Sequence, residues 1–387
     1  MPSTANHNYS IVFVSHYADL YGANRSMLNL IYGLQQKGVN NISVIIPTAG
    51  NICNELKKFS IKFYIIPFVN ESYDYRKPPS YLKMLLKKYY NFYLVAKHRH
   101  RFKKNKNLII HTNSSVTFFG AYLAKSLSTP HAWHIREFGK PDYNFLYNFG
   151  EAYFLKWLNK ASAVIYISNA LLNYRMKEKI EPMYEIIYNG VISESAIADN
   201  VNIELKNKIF RFGISGHISE AKNQAEAIKA CKLVNENFGC ELWIAGTGDK
   251  DFIKELQSLI TSLNMQAHVK FTGFVDDIAA FYDSVDCILM CAKNEALGRV
   301  TIEAMSRGLP VIGFNNAGTS EIIKDGYNGL LYDNSYTELA EKMKTVINNY
   351  RSFKPMRQNA LETVKKNFTI EKYTASVMKV YEQISRA

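Results

Sequence analysis

Cysteine is scarce in this sequence and falls into no pattern. The five thiols, Cys53, Cys231, Cys240, Cys287 and Cys291, are odd in number and contain no C-x-x-C pair. That leaves no disulfide framework and no cysteine-built metal site, and reads as reduced core thiols of a cytosolic protein. Residues 1–10 are polar, with neither a basic n-region nor an apolar h-region, so no secretory signal is expected. No apolar run approaches the roughly 18 residues that cross a bilayer. Repeats and low-complexity tracts are missing too. So is the G-x-G-x-x-G spacing around Gly22, which speaks against dinucleotide binding. The last absence is local. Between Arg76 and Lys106 there is not one Asp or Glu, against eleven Lys and Arg.

What is present is the material of a soluble globular enzyme. Of 387 residues, 47% are hydrophobic and 21% charged, and the length predicts two or three domains with ample core. The net charge of +13 is concentrated in the acid-free segment, which invites nucleic acid, an anionic membrane or an acidic substrate. Leu82, Leu85, Leu86, Tyr89, Tyr90, Tyr93 and Leu94 recur at helical spacing, with Lys83, Lys87 and Lys88 between them. A basic amphipathic helix with interfacial tyrosines is a membrane-surface pattern, and residues 76–106 are expected to meet an anionic membrane. No nucleic-acid module accompanies the patch, so nucleic acid is not an expected partner. The alternative is an ordinary surface helix packed on a sheet by its apolar face.

Two βα series follow one another. Residues 11–14 are an apolar strand, and a polar loop containing Gly22 and Ala23 leads into a helix stopped at Lys37-Gly38. Residues 42–47 are the next strand, and a doubly wound domain opens in this way. Residues 108–115 and 130–138 are further strands, ending in His111 and in His134, Arg136 and Glu137. Ligands bind at such strand ends in parallel sheets. Residues 193–208 read as a linker. The second series then begins. Strand 210–215 exits into Gly216-His217, with Lys222 ahead of the next helix, and strand 241–245 exits into Gly246-Thr247-Gly248.

Residues 294–321 organise the rest. Glu295 and Glu303 lie eight residues apart, with Gly298 between them, where a loop can turn into a helix. The amides of Arg299, Val300 and Thr301 then face an anion, Glu303 can accept hydrogen bonds from a diol such as ribose, and Glu295 can reach a group beyond the phosphates. Gly308-Leu309-Pro310 stops that helix before the apolar strand 311–314. A nucleotide-sugar meets all three demands.

At these residues the sequence resembles the large retaining glycosyltransferase family four, of the GT-B fold, whose pattern runs E-x-x-G-x-x-x-x-E-A-M-A-x-G-x-P-V and then G-G-x-x-E. Here Ser306 stands at the last Ala of the first part, and Ala317-Gly318 stand at the later glycine pair. The resemblance extends over nearly the whole chain, including Asn189-Gly190-Val191 at the end of the first domain and the D-G-x-x-G-x-L pattern at residues 325–331. It implies an α/β protein of two Rossmann-like doubly wound domains facing a cleft. Residues 1–192 would bind acceptor, 193–368 would bind donor, and the terminal helix 369–387 would pack back on the first.

The resemblance also implies roles. Glu295 and His134 would orient the donor sugar, and Lys222 would clamp the diphosphate in place of a metal ion. Gly216, His217, Gly246, Phe274, Val275, Gly298, Arg299, Val300 and Glu303 would line the donor, with Phe274 and Val275 at the nucleobase. Gly22, Ala23, Arg136 and Glu137 would lie near the acceptor. The family's arginine of the clamp is His217 here, which cannot make the bidentate, always-charged contact; Arg299 is the expected substitute. The implied activity is retaining transfer of a hexosyl group from a UDP-sugar to a lipid-linked or glycan acceptor in surface polysaccharide synthesis. It would need neither cofactor nor metal and would proceed at the cytoplasmic face of the plasma membrane. The alternatives are a nucleotide-sugar epimerase of the same fold and a non-catalytic sugar-nucleotide or membrane-binding subunit.

Overall fold

The computed structural model describes residues 9–175, 182–205, 207–333 and 335–386. Part of the polar segment 1–10 and one residue of the linker 193–208 lie outside them. The chain forms two compact units, Met1–Gly190 with Ile370–Ala387, and Val191–Thr369. The first unit holds strands β1 (Ser10–Val14), β2 (Ile42–Ile46), β3 (Lys62–Ile65), β4 (Ser72–Asp74), β5 (Leu108–Thr112), β6 (His131–Ile135), β7 (Phe145–Tyr147), β8 (Ala163–Tyr166) and β9 (Met183–Ile186). The second holds β10 (Phe210–Ser215), β11 (Cys240–Ala245), β12 (Val269–Gly273), β13 (Cys287–Met290), β14 (Val311–Phe314) and β15 (Leu330–Tyr332).

Seven strands of the first unit make one parallel sheet in the order β3-β2-β1-β5-β6-β8-β9. The physical reason is visible in the residues. Every side chain of β1, β2, β5, β6 and β8 is buried, as continuous apolar runs require when helices cover both faces. The short antiparallel pair β4–β7 stands apart from this sheet. The terminal helix Ile370–Arg386 belongs to this unit. Tyr373, Val377, Tyr381 and Ile384 sit in the same core as Leu30, Ile31 and Leu34 of the helix Gly22–Gln36.

The second unit repeats the design with six parallel strands in the order β12-β11-β10-β13-β14-β15. Its core joins Ile214, Leu242, Leu289 and Ile312 from the sheet to Ala227, Cys231, Leu339 and Met343 from helices. In each sheet the strand order reverses once, between β1 and β5 and between β10 and β13. Connections leave in opposite directions at such a point, and a crevice opens outside the strand ends. Among the described residues no helix is long and apolar enough to cross a membrane.

Candidate active site

Lys222 and Glu295 meet at the reversal point of the second sheet. β10 runs out through Gly216 and His217 to the short 3-10 helix Glu220–Lys222. β13 runs out through residues 291–298. The Lys222 ammonium donates to Glu295 Oε2 from the other side. The pair is only partly covered, with side chains 29% and 17% exposed, so a solute can reach both charges. Three neighbouring strand ends are tied together beside it. Gly216 N–H donates to the Ala245 carbonyl (2.9 Å) and Gly246 N–H to the Gly273 carbonyl (2.8 Å). A Cβ on Gly246 would lie 1.8 Å from the Gly216 carbonyl oxygen, so no side chain fits there.

The loop that carries Glu295 is positioned by backbone. Gly318 N–H donates to the Glu295 carbonyl at 2.8 Å. A Cβ at Gly318 would sit 2.6 Å from the Ala296 carbonyl oxygen and from Leu297 Cα. The second glycine of the G-G-x-x-E pattern is therefore a packing requirement. The first is not. Ala317 takes its place at φ +49°, a left-handed conformation that costs an L-residue about 1–2 kcal/mol. Ala317→Gly removes that strain and adds some unfolded-state entropy, so it is expected to stabilise the second unit by about 0.5–1 kcal/mol in urea unfolding. An unchanged or lowered midpoint would show that the surroundings relieve the strain.

Gly298, at φ +93°, caps the helix Arg299–Met305, and Glu303 follows one turn in. Glu303 is held on both oxygens. Arg299 Nε donates to Oε1 (2.8 Å) and the Tyr282 hydroxyl to Oε2 (2.8 Å). Burial, reinforced by the Glu303 charge, pushes the Tyr282 phenol far above its ordinary value, so it stays a donor. Arg299 also reaches the Val191 carbonyl at 3.4 Å. Its Nε thus faces Glu303, and the phosphate contact expected of Arg299 would fall to its remaining guanidinium N–H groups. His217 is exposed, with its carbonyl taking a bond from Gln224 Nε2 (3.1 Å). The Phe274 ring projects into solvent just past β12, 63% exposed, with Val275 beside it. On the helix Arg299–Met305, Thr301 is buried and its hydroxyl has no hydrogen-bond partner. Tyr282 is not among the expected site residues, and Thr301 is expected only for its amide. No spacing rule links Tyr282 to Glu303 across 21 residues and a strand.

The reversal point of the first sheet is polar in another way. Arg136 and Glu137, both buried, follow β6. Glu137 accepts from the Ser114 hydroxyl (2.8 Å) and from the Ser115 amide and hydroxyl (3.1 Å each). Arg136 Nε donates to Asn113 Oδ1 (2.8 Å), and its Nη2 to the Tyr373 hydroxyl (3.0 Å) and His134 Nδ1 (3.3 Å). Asn113 in turn bonds the Ala23 carbonyl (3.1 Å). Gly22 is exposed, and a Cβ there would meet nothing within 4 Å.

His134 lies below this rim. It is fully buried one residue before the end of β6, with its Nδ1 3.2 Å from His111 Nε2 and its Nε2 without a partner. His111 Nδ1 lies 2.7 Å from the Tyr381 hydroxyl. An arginine can only donate, so His134 Nδ1 accepts, His111 Nε2 carries the proton that it shares, and His111 Nδ1 accepts from Tyr381. Both imidazoles are neutral. Burial first, then Arg136, holds them well below the ordinary histidine value. His134 is bonded to its own unit through Nδ1, and Arg136 and Glu137 stand beyond it at the strand exit.

Residues 20–195 match the family model described as Glycosyltransferase Family 4, and residues 197–364 match Glycosyl transferases group 1. An uncharacterized glycosyltransferase of Methanocaldococcus jannaschii is 28% identical over 350 residues, 87% of this chain and 93% of that protein. The N-acetyl-alpha-D-glucosaminyl L-malate synthase of Bacillus anthracis is 27% identical over 287 residues, 69% of this chain and 72% of that protein. Among solved structures, HepE of Anabaena in complex with UDP and glucose superposes with a TM-score of 0.78 at 21% identity, covering 97% of this chain and 99% of the other.

Proposed function

The chain is a glycosyltransferase of the GT-B fold, with the family 4 pattern over its first unit and the group 1 pattern over its second, and on that premise we propose that it moves a hexosyl group from a UDP-sugar to a lipid-linked or glycan acceptor of a surface polysaccharide, with retention at the anomeric carbon. The observation that carries this reading is the Lys222–Glu295 ion pair at the reversal point of the second sheet. It offers one cation for a diphosphate and one carboxylate for sugar hydroxyls within a single partly open contact. HepE binds UDP and glucose on the same fold, which supports the donor class.

In this mechanism the ammonium of Lys222 turns from Glu295 to the diphosphate, standing in for a metal ion, and no cofactor is used. Glu295 is freed to accept hydrogen bonds from the sugar. Glu303, fixed by Arg299 and Tyr282, uses two of its roughly four lone-pair sites on those partners and has the rest for ribose hydroxyls. Gly216, Gly246, Gly298 and Val300 bring backbone near the donor, and Phe274 and Val275 receive the base. The bond from the anomeric carbon to the diphosphate oxygen breaks and the bond to the acceptor oxygen forms. The departing oxygen takes the acceptor's proton, and charge developing on it is what Lys222 stabilises. Gly22, Ala23, Arg136 and Glu137 lie where the acceptor is handled, at the cytoplasmic face of the membrane.

A panel of nucleotide-sugars tests this, with nucleotide release followed with and without lipid-linked acceptors and the product's anomeric configuration read by NMR. Turnover of a UDP-sugar with retained configuration is expected. Inversion, or release of a free epimer without acceptor, would overturn it. His217→Arg adds a bidentate cation at the clamp and is expected to lower the donor KM about tenfold at neutral pH. An unaltered KM would place residue 217 outside the phosphate contacts.

A further inference from the structure

The helix Tyr81–His98 turns its polar anchors inward and leaves a stripe of apolar side chains outward. Asn91 is fully buried and donates from Nδ2 to the Val69 carbonyl (2.8 Å) and to Glu71 Oε1 (3.0 Å). The Lys88 ammonium lies over the rings of Phe149 and Tyr153, 5.1 and 4.8 Å from their centroids. Leu94 and Val95 complete the buried face. With those anchors in place, Leu82 (66% exposed), Leu86 (62%), Tyr89 (62%) and Tyr93 (57%) point to solvent. Their spacing of i, i+4, i+7 and i+11 makes one continuous stripe along a helix of roughly 27 Å. Scattered exposed leucines are ordinary, but a contiguous stripe of leucine and tyrosine marks a contact surface.

The charge around the stripe is of one sign. Lys83 and Lys97 lie on the exposed part of the helix, and Arg99, Arg101, Lys103 and Lys104 continue beyond its end, all exposed. The neighbouring helix Phe119–Leu127 contributes Lys125 and no acid. We propose that this face docks on the surface of an anionic phospholipid bilayer, with the leucines and tyrosines among the acyl chain boundary and headgroups and the cations on lipid phosphates. A second copy of the chain is a poor occupant, because its own face carries the same positive field. A glycan is a poor one as well. Tyrosines stack on sugars, but the amide that could bond hydroxyls, Asn91, is buried and committed, and the leucines have no use there.

The inference rests on the reading above in that it names the surface bringing the enzyme to a membrane-held acceptor, and the two can fail separately. The full-length protein is sedimented at low salt with vesicles of phosphatidylcholine alone and with vesicles containing about one third phosphatidylglycerol. Binding to the anionic vesicles at least about tenfold tighter than to the neutral ones is expected. Lys83→Glu with Lys97→Glu, and separately Leu86→Ser with Tyr89→Ser, should each remove most of it. Turnover with a soluble acceptor analogue should stay unchanged in both variants, which shows that they fold. Equal binding to both vesicle types, retention of binding by either variant, a dimer lost on mutating the stripe, or capture of polysaccharide by the same residues would overturn the proposal. A failure of donor turnover with vesicle binding intact would strike the reaction and leave the docking surface standing.

Discussion

Replacing Lys222 by alanine lowers kcat/KM by about 10²–10³-fold, or roughly 3–4 kcal/mol of transition-state stabilisation. The magnitude follows from what the ammonium faces at each stage. In the resting protein its charge is matched by Glu295. In the proposed transition state it would face a diphosphate on which negative charge is growing, so the interaction would strengthen along the reaction and its loss fall mainly on kcat. Lys222→Arg keeps the charge but puts a planar fork where a compact ammonium sits, and recovers only part of the rate. Glu295→Gln leaves Lys222 without its carboxylate, tightens its hold on diphosphate and weakens discrimination between sugars. Steady-state kinetics over the donor panel, with circular dichroism to show that each variant is folded, measures all three. A Lys222→Ala enzyme within about threefold of the parent would remove the ion pair from the machinery.

The second large effect is on stability in mild acid. His111, His131 and His134 are buried in the first unit. Desolvation depresses His131 to about 3 and holds the other two well below the usual 6.5. A histidine whose folded value is depressed supplies stability that is complete above its unfolded value and is lost as pH falls below it, because only the unfolded chain takes up the proton. At pH 5, about 1.5 units below 6.5, His131 has given up about 2 kcal/mol and His16, which burial and Arg136 also depress to about 3, about as much, with His111 and His134 adding to the loss in the same direction. That rivals the roughly 5–15 kcal/mol stability of a typical domain. Glu71 acts in the opposite sense. Burial raises its carboxyl, so folding takes up a proton there and the group becomes less costly as pH falls. The second unit has only His217 and His268, neither of them buried. Urea unfolding from pH 7 to pH 5 should therefore show the first unit losing stability steeply while the second holds. His131→Gln should flatten the slope by one proton's worth. Equal stability of the first unit at both pH values would refute the neutral-histidine account.

Much of this architecture can be read from the chain because its physics is local. Apolar runs at residues 11–14 and 287–290, and the nearly apolar 42–46, read as strands covered on both faces. Lys222 and Glu295 each follow a strand by a short loop, and a doubly wound order brings two such loops to one point. Other features depend on which side of an element faces inward. The stripe on residues 82–93 has helical spacing whichever way it turns. Its outward orientation is decided by Asn91 and Glu71, which come from separate elements. His134 looks like a strand-end group, and pairing puts it opposite Ile165, one pair before the ends of β6 and β8, but only the fold shows that it is buried there, with Arg136 beyond it. The bond from Arg299 to Glu303 is an i,i+4 pair that was open to view. The Tyr282 hydroxyl on the same carboxylate depends on a tertiary contact that no local pattern encodes.

The terminal helix has a bearing on how the chain is made. Tyr373 and Tyr381 bond Arg136 and His111 in the first unit, and Val377, Val380 and Ile384 fill its core. All of them lie beyond residue 369, after the whole of the second unit. On the ribosome, where domains fold as units in the order in which they emerge, the second unit is complete first. The first waits, its Arg136 and His111 each short of a partner, until the helix Ile370–Arg386 has left the exit tunnel. Synthesis thus reverses the usual amino-to-carboxyl order of domain completion, and removal of a few turns of the helix Ile370–Arg386 would be felt in the unit made earliest.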